Sequence, residues 1–392
     1  VDIEGMSALL TPDGWAFLEA LPPYDAGTAM ALGERLRAAG HDPRVVAAAL
    51  TQSRLRAAGR AKFGPFADGM LFTPAGLEQA TRLPVAARHA QRFAVAGLTR
   101  VADLGCGIGA DSMALAGLDR EVLAVDIDEV TAAVATVNLR HWPEAVVRNE
   151  DATRTDLTGV TGAFVDPARR SSSGRRLLDP RRGSPPLSFV LGLAERIPAV
   201  GMKTAPGIPH HLVPPGAEAQ WVSVDGDVVE ASLWFGPLAR QGIRRCALVL
   251  AGEGATEVTD AGMPTPEAGP LGSVLYEPDG AVIRAGLVGQ VAAAVGGRLL
   301  DHSIAYVSAD SPTRTPLAST YAVEDVFPFQ LKALRTWLRD RGVGRLTIKK
   351  RGTAVEPEHL RRQLHLDGTN EATIVLTRVA GRHSVIAVRP VR

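Results

Sequence analysis

The stretch Asp103-Leu-Gly-Cys-Gly-Ile-Gly-Ala-Asp111 holds the residues of this chain whose types and spacing are best suited to chemistry. An apolar lead-in over 98–102 precedes it, and a helical pattern over 112–117 follows. A strand therefore ends, a glycine-rich turn follows, and a helix begins. Gly105, Gly107 and Gly109 let the backbone bend tightly and approach a ligand closely. The helix start adds free N–H groups and the positive end of the dipole. Together these predict a nucleotide-type cofactor site at the first turn of an open α/β sheet.

Acids recur downstream at the places such a sheet would use. A strand pattern over 121–125 ends at Asp126, about 20 residues past the glycines, where a ribose is held by its hydroxyls. Asp128 reads as the N-cap of a helix over 129–139. A short strand over 145–148 precedes Asp151, and a fourth over 162–165 ends in Asp166-Pro167-Ala168-Arg169. Four acids thus end four successive strands, at the carboxyl edge where doubly wound sheets bind ligands.

The form G-x-G-x-G, with an acid two residues before the first glycine, departs from the dinucleotide fingerprint. It resembles motif I of the class I S-adenosylmethionine (SAM) methyltransferases. The resemblance implies SAM as cofactor, with Asp103 facing the methionine amino group across the turn of Gly105, Gly107 and Gly109. It implies the ribose at Asp126 and its neighbour Ile127, and the adenine amino group at Asp151 and its neighbour Ala152.

Methyltransferases that modify an exocyclic amino group read [DNS]-P-P-[YFWH] after the fourth strand. Their acid and proline carbonyl accept hydrogens from the target amine, and their aromatic stacks on a base. Asp166 and Pro167 match, whereas Ala168 and Arg169 depart. Arg169 is predicted as a catalytic residue beside Asp166 and Pro167, as a plane that stacks on a base or a cation that meets phosphate. D-P-P-R is the form seen in enzymes acting on uracil carbon 5, which need a cysteine nucleophile. The two cysteines fit that role poorly: Cys106 lies in the glycine turn and Cys246 in an apolar strand pattern. Attack by a nitrogen is therefore preferred, and the target atom stays open. Catalysis then consists mostly of aligning nucleophile, methyl and sulfur.

The length, 392 residues, suggests two or three domains at about 100–200 residues each. The chain holds no apolar run long enough to cross a bilayer, and its start, Val1-Asp-Ile-Glu4, is unlike a signal peptide. Two distant cysteines make neither a disulfide framework nor a metal site. A soluble cytoplasmic protein without membrane partner or metal is expected. The net charge is only +1, but residues 332–392 carry 14 Lys+Arg against 5 acids. Arg169, Arg170, Arg175, Arg176, Arg181 and Arg182 follow the Asp-Pro motif. Both basic stretches point to a polyanion as partner.

Periodicity divides the chain into a helical region (1–98), a sheet domain (99–236), a connecting region with a strand and one long helix (237–322), and a small basic α/β module (323–392). In the first region, Thr73 caps a helix opened by Pro74, and Glu78, Gln79 or Thr81 either approach the methionine end or simply pack. Lys203 ends the fifth strand, where it meets a phosphate, pairs with Asp166, or is solvated. The long helix is expected over 281–295 with Asp279 as cap; it carries Arg284, which has no assigned role.

Over nearly its whole length the chain resembles a bacterial family of class I methyltransferases with a C-terminal THUMP-like domain. The resemblance rests on Lys62-Phe63, Leu71-Phe-Thr73, Glu78-Gln-Ala-Thr81, the glycine loop, Asp166-Pro-Ala-Arg-Arg170, Glu277-Pro-Asp-Gly-Ala281 and Lys349-Lys-Arg-Gly352. It implies an α/β fold: a Rossmann-like methyltransferase sheet with an N-terminal helical domain and a small THUMP-like domain. It also implies an RNA substrate, since THUMP domains bring RNA to modifying enzymes. Three functions follow: methylation of a base nitrogen in transfer or ribosomal RNA, methylation of a small molecule, or non-catalytic binding of SAM or RNA.

Overall fold

The N-terminal segment is helical because its caps and its apolar spacing agree. In the computed structural model, which describes residues 3–168, 179–262 and 266–391, it forms α1 (Ile3–Leu9), α2 (Pro12–Glu19), α3 (Ala29–Ala38) and α4 (Pro43–Phe63). Thr11 caps α2 by accepting from the Gly14 N–H, and Asp42 caps α4 through the Arg44 N–H. α4 extends to Phe63, because Gly59 and Phe63 continue its buried face. α5 (Pro74–Gln79), with Thr73 accepting from the Gly76 N–H, and α6 (Leu83–Val95) complete the region.

The sheet that follows comprises β1 (Arg100–Leu104), β2 (Glu121–Asp126), β3 (Ala145–Asn149), β4 (Gly162–Val165) and β5 (Ala199–Thr204). The connecting helices are α7 (Ala110–Ala116), α8 (Glu129–Asn138) and α9 (Leu187–Ala194). The strands pair in parallel in the order β3-β2-β1-β4-β5. The order reverses between β1 and β4, which opens a crevice at their carboxyl ends. Asp128 caps α8 through the Thr131 N–H.

The chain divides into two compact units, Val1–Ala205 with Leu233–Ala239, and Pro206–Ser232 with Arg240–Arg392. In the first, Phe164 of β4 stacks on Trp234 at 5.9 Å, with His89 and Phe93 of α6 at its edges. Gly201 of β5 is required there, since a Cβ would lie 2.5 Å from the Trp234 ring.

A short extended strap, Met70–Phe72, joins the helices to the cofactor turn. Gln52 on α4 holds Phe72 by both backbone groups, at 2.8 and 3.0 Å. Arg56 donates to the Met70 carbonyl at 2.9 Å. From the other side Asn138 of α8 accepts from the Leu71 N–H and donates to the carbonyls of Leu71 and Ile108. Two side-chain amides thus replace the neighbouring strands that a buried extended segment would otherwise need.

The second unit contains β6 (Glu218–Val224) and β7 (Asp227–Phe235), whose end lies in the first unit. Their turn places Asp225 and Gly226 at positive φ, as a two-residue hairpin requires. β8 (Arg245–Ala251) runs parallel to β6 and antiparallel to β9 (Gly254–Thr259). The remaining strands are β10 (Val274–Pro278), β11 (Arg298–Asp301), β12 (Ile304–Ala309), β13 (Ala318–Pro328), β14 (Val343–Lys350), β15 (Asn370–Val379) and β16 (Arg382–Pro390). They form one sheet in the order β11-β12-β10-β13-β16-β15-β14.

Two expectations differ from this arrangement. The single helix over 281–295 is two short ones, α10 (Gly280–Ala285) and α11 (Val288–Ala294), because Gly286 between them is left-handed at φ +71°. β13 runs through the expected boundary at 322/323, and β10, β11 and β12 join its sheet, so the sheet of the C-terminal module begins upstream of 323. α12 (Leu331–Asp340) and α13 (Pro357–Leu364) cover one face through Leu334, Leu338, Leu360 and Leu364. Tyr306, Tyr321 and Ile386 pack on the other. The Glu277 and Lys349-Lys-Arg motifs meet: Lys349 pairs with Glu277 at 2.6 Å and Arg351 approaches it at 3.9 Å. Among the described residues no helix is long and apolar enough to cross a membrane.

Replacing Asn138 with Ala leaves three buried backbone groups without their partner. At about 1–3 kcal/mol for an unsatisfied buried group, N138A is expected to lower the thermal unfolding midpoint by several degrees. Calorimetry checks this, and an unchanged midpoint would show that the strap does not depend on Asn138.

Candidate active site

The predicted cofactor residues stand at the carboxyl ends of β1, β2 and β3, and the predicted catalytic Asp166 and Pro167 at that of β4. Gly105, Gly107 and Gly109 stand at φ +86°, +57° and +87°, a region costly for residues with a Cβ. Gly105 has a second reason: a Cβ there would lie 2.5 Å from the Asp166 carbonyl oxygen. The cofactor turn and the Asp-Pro motif are therefore in backbone contact. The Gly105 and Cys106 N–H groups donate to the Val125 carbonyl and anchor the turn to β2.

Asp126 accepts from the Gly107 N–H and the Asp128 N–H, each at 3.0 Å. Burial raises its pKa against these two bonds. Asn149 ties the carbonyls of Asp126 and Ile127. Ile127 is 73% exposed, an apolar side chain beside Asp126. Asp151 accepts from the Thr153 N–H and hydroxyl, both at 2.8 Å, which lowers its pKa. Ala152 follows it, half-buried.

Asp103 is buried in β1 and accepts from the Ser112 hydroxyl at 2.5 Å. Burial, with the nearby Asp111 charge, pushes it up to about 8, against the Ser112 bond. Both thiols are also raised by burial, so neither Cys106 nor Cys246 has the character of a thiolate nucleophile.

Lys203 reaches Asp166. Its ammonium lies 2.8 Å from Asp166 Oδ2 and 2.8 Å from Thr81 Oγ1; the lysine side chain is 3% exposed and the aspartate side chain 25%. Of the three roles open to Lys203, pairing with Asp166 is the one observed. Thr81 in turn lies 2.6 Å from Asp111 Oδ2, and His89 Nδ1 lies 2.8 Å from Asp111 Oδ1. Burial alone would raise Asp111, but the His89 charge and hydrogen bond, with Lys203 and Thr81, hold it below its ordinary value. Asp111 and His89 were absent from the predicted site. Their signal was slight: an acid two residues past the last glycine and a histidine on an apolar helix face.

Pro167 packs beneath Gly183, whose Cβ would lie 3.1 Å from it. Ala168 exchanges backbone hydrogen bonds with Ser184, at 2.8 and 3.3 Å. Arg169, Arg170, Arg175 and Arg176 lie outside the described residues. Arg181 is paired with Asp179 at 2.7 Å. In the second unit, Arg284 donates to the Pro206 carbonyl, and its own carbonyl bonds His210. The basic excess of 332–392 is partly neutralised by acids from outside it: Glu277, Asp325 and Glu324 pair with Lys349, Arg341 and Arg389. Lys332, Arg362 and Arg382 are exposed and lack an ion pair among the described residues.

Residues 318–390 match the family model described as THUMP domain-like, and residues 2–59 match a domain of unknown function. The chain is 37% identical over 346 residues to a protein of Mycobacterium tuberculosis strains H37Rv and CDC 1551. That relative is described as an uncharacterized S-adenosylmethionine-dependent methyltransferase; the match covers 84% of this chain and 91% of the relative. A crystal structure from Porphyromonas gingivalis W83, solved as a candidate methyltransferase, superposes with a TM-score of 0.69 at 19% identity. It covers 95% of this chain and 100% of the other, and shares its fold.

Asp103 keeps a proton in the folded protein up to about pH 8, whereas an unfolded aspartate ionises near pH ~4. The folded state therefore binds more protons between these values, and this group's contribution to stability falls as pH rises from ~4 to ~8. D103N is expected to reduce that decline. Urea unfolding at several pH values checks it, and parallel curves for both proteins would refute it.

Proposed function

This chain belongs to the S-adenosylmethionine-dependent methyltransferases, and from that premise we propose that it methylates a nitrogen of an RNA base, with Asp166 orienting the amine. It is an enzyme, and its cofactor is S-adenosylmethionine. The residues present fit that cofactor: a glycine turn kept free of side-chain bulk, a buried acid at Asp103, and Asp126 fastened to the turn. When bound, SAM supplies a methyl group on a sulfonium that needs no further activation.

The observation that carries the reading is the state of Asp166. It ends β4 at the switch point, in backbone contact with the cofactor turn, and Lys203 fixes its Oδ2. Among the described residues nothing is bonded to Oδ1. That oxygen and the Pro167 carbonyl are the acceptors offered to an amino group. Asp166 would hold the amine with its lone pair toward the methyl, and its negative charge suits the cation forming on nitrogen. Asp103, Gly105, Gly107, Gly109, Asp126, Ile127, Asp151 and Ala152 would hold the cofactor, and Arg169 would meet the base or a phosphate.

RNA is favoured by the THUMP-like match over 318–390 and by the exposed cations Lys332, Arg362 and Arg382 within it. Such cations bind phosphate without reading sequence.

The test is methyl transfer from labelled SAM to total RNA of cells lacking this gene. Label in RNA is expected, sensitive to RNase and reduced at least 100-fold in D166A. Confirmed SAM binding with no label in RNA would overturn the RNA reading and direct the search to small molecules. If RNA is labelled, the triple replacement of Lys332, Arg362 and Arg382 by Gln should raise the KM for RNA by about tenfold and flatten its salt dependence. SAM affinity, read by calorimetry, should not change; an unaltered KM would exclude these three as the RNA contact.

A further inference from the structure

Thr81 and Lys203 form a buried chain whose donors and acceptors can be ordered without ambiguity. The Lys203 ammonium only donates, so Asp166 Oδ2 and Thr81 Oγ1 both accept from it at 2.8 Å. The single Thr81 proton then goes to Asp111 Oδ2 at 2.6 Å. Asp111 is held from its other oxygen by His89 Nδ1 at 2.8 Å. Thr81, His89, Asp111 and Lys203 are all buried, at 2–7% exposure, while Asp166 is the member that reaches the surface.

The chain begins in α6, passes α7, the loop before α6 and β5, and ends just past β4. The loop is itself fixed: Lys62 on α4 donates to the carbonyls of Glu78 at 2.7 Å and Ala80 at 2.9 Å. Gly76 fits against Ile108 of the cofactor turn, where a Cβ would approach within 2.4 Å. Thr81 therefore has little freedom to move away from Lys203.

We infer that Thr81 and Lys203 are positioning residues, which aim the Asp166 carboxylate at the methyl-transfer axis. The inference rests on the proposed role of Asp166 and assigns that role a support outside the Asp-Pro motif. A lysine ammonium is a compact charge on a flexible stem. Its direction must be set by what it donates to. With Thr81 in place, one donor is committed away from Asp166 and the approach to Oδ2 is fixed. Without the hydroxyl, Lys203 loses the acceptor that sets this approach, and Asp166 loses its set orientation while keeping its charge.

The test needs no acceptor substrate. Sinefungin carries an amine where SAM carries the methyl sulfonium, whereas S-adenosylhomocysteine has neither. The ratio of their dissociation constants, measured by calorimetry on the full chain, reports a carboxylate aimed at the transfer axis. The native protein is expected to prefer sinefungin, D166N to lose that preference, and T81V to lower it at least fivefold. T81S, which keeps the hydroxyl, should restore it to within twofold. K203M should lower it as T81V does, provided its melting curve shows it folded.

A T81V preference equal to that of the native protein would overturn the inference. So would a T81S that behaves like T81V, or equal losses for both ligands in T81V, which would mark a merely structural role. A native preference that survives in D166N would overturn the assignment of Asp166 itself. Absence of label in RNA leaves this measurement readable and bears only on the substrate.

Discussion

Lys203 ends a buried strand, and its ammonium can remain charged there only if the surroundings supply acceptors. Asp166 is one and Thr81 is another, with Asp111 as a second negative charge just behind. One cation thus stands between two carboxylates, Asp111 buried and Asp166 partly open. Much of the site's architecture follows from that arrangement. Asp111 needs a further hydrogen-bond partner, which His89 provides from α6. Thr81 needs a rigid loop, which Lys62 provides from α4. Removing any member leaves a buried polar group without its partner, so the set resists partial dismantling.

The N-terminal helices acquire a purpose from this. A methyltransferase sheet alone would not bring Thr81 to Lys203. Gln52 and Arg56 hold the strap at Met70 and Phe72, and Asn138 holds Leu71. The strap then feeds α5 onto Ile108 of the cofactor turn. Lys62 shows the electrostatic side of this crowding: burial, then Arg82 and Lys203 nearby, press its pKa down to about 8. Its two carbonyl partners keep it in place despite that repulsion.

Features written in short stretches of sequence could be read directly. The glycine turn, the acids at the strand ends, and the caps at Thr73, Asp128 and Asp279 depend on neighbours within a few residues. β4 and β5 were legible for the same reason. Features made by distant partners were not. Nothing local in Asp111 tells that His89 and Thr81 will reach it. Gly286 was read as part of a helix because the apolar spacing continues on both sides, and only its left-handed backbone breaks the run. The count of basic residues in 332–392 was correct, but Glu277, Glu324 and Asp325 lie upstream of that window and neutralise part of it. Charge summed over sequence overstates charge presented to a ligand whenever a sheet brings upstream acids alongside.

The contact between Gly105 and Asp166 carries one last consequence. Motif I and the Asp-Pro motif are usually thought of as serving two different ligands, cofactor and acceptor. Here the carbonyl of Asp166 occupies the space that a Cβ of Gly105 would need, and the Asp166 N–H bonds Leu104. The backbone that shapes the glycine turn also sets where the Asp166 carboxylate starts. Lys203 then sets where it points. Two constraints of different kinds, one steric at the main chain and one electrostatic at the side chain, fix a single carboxylate. That is the arrangement an in-line transfer needs, because small misplacement of either reacting partner is costly in rate.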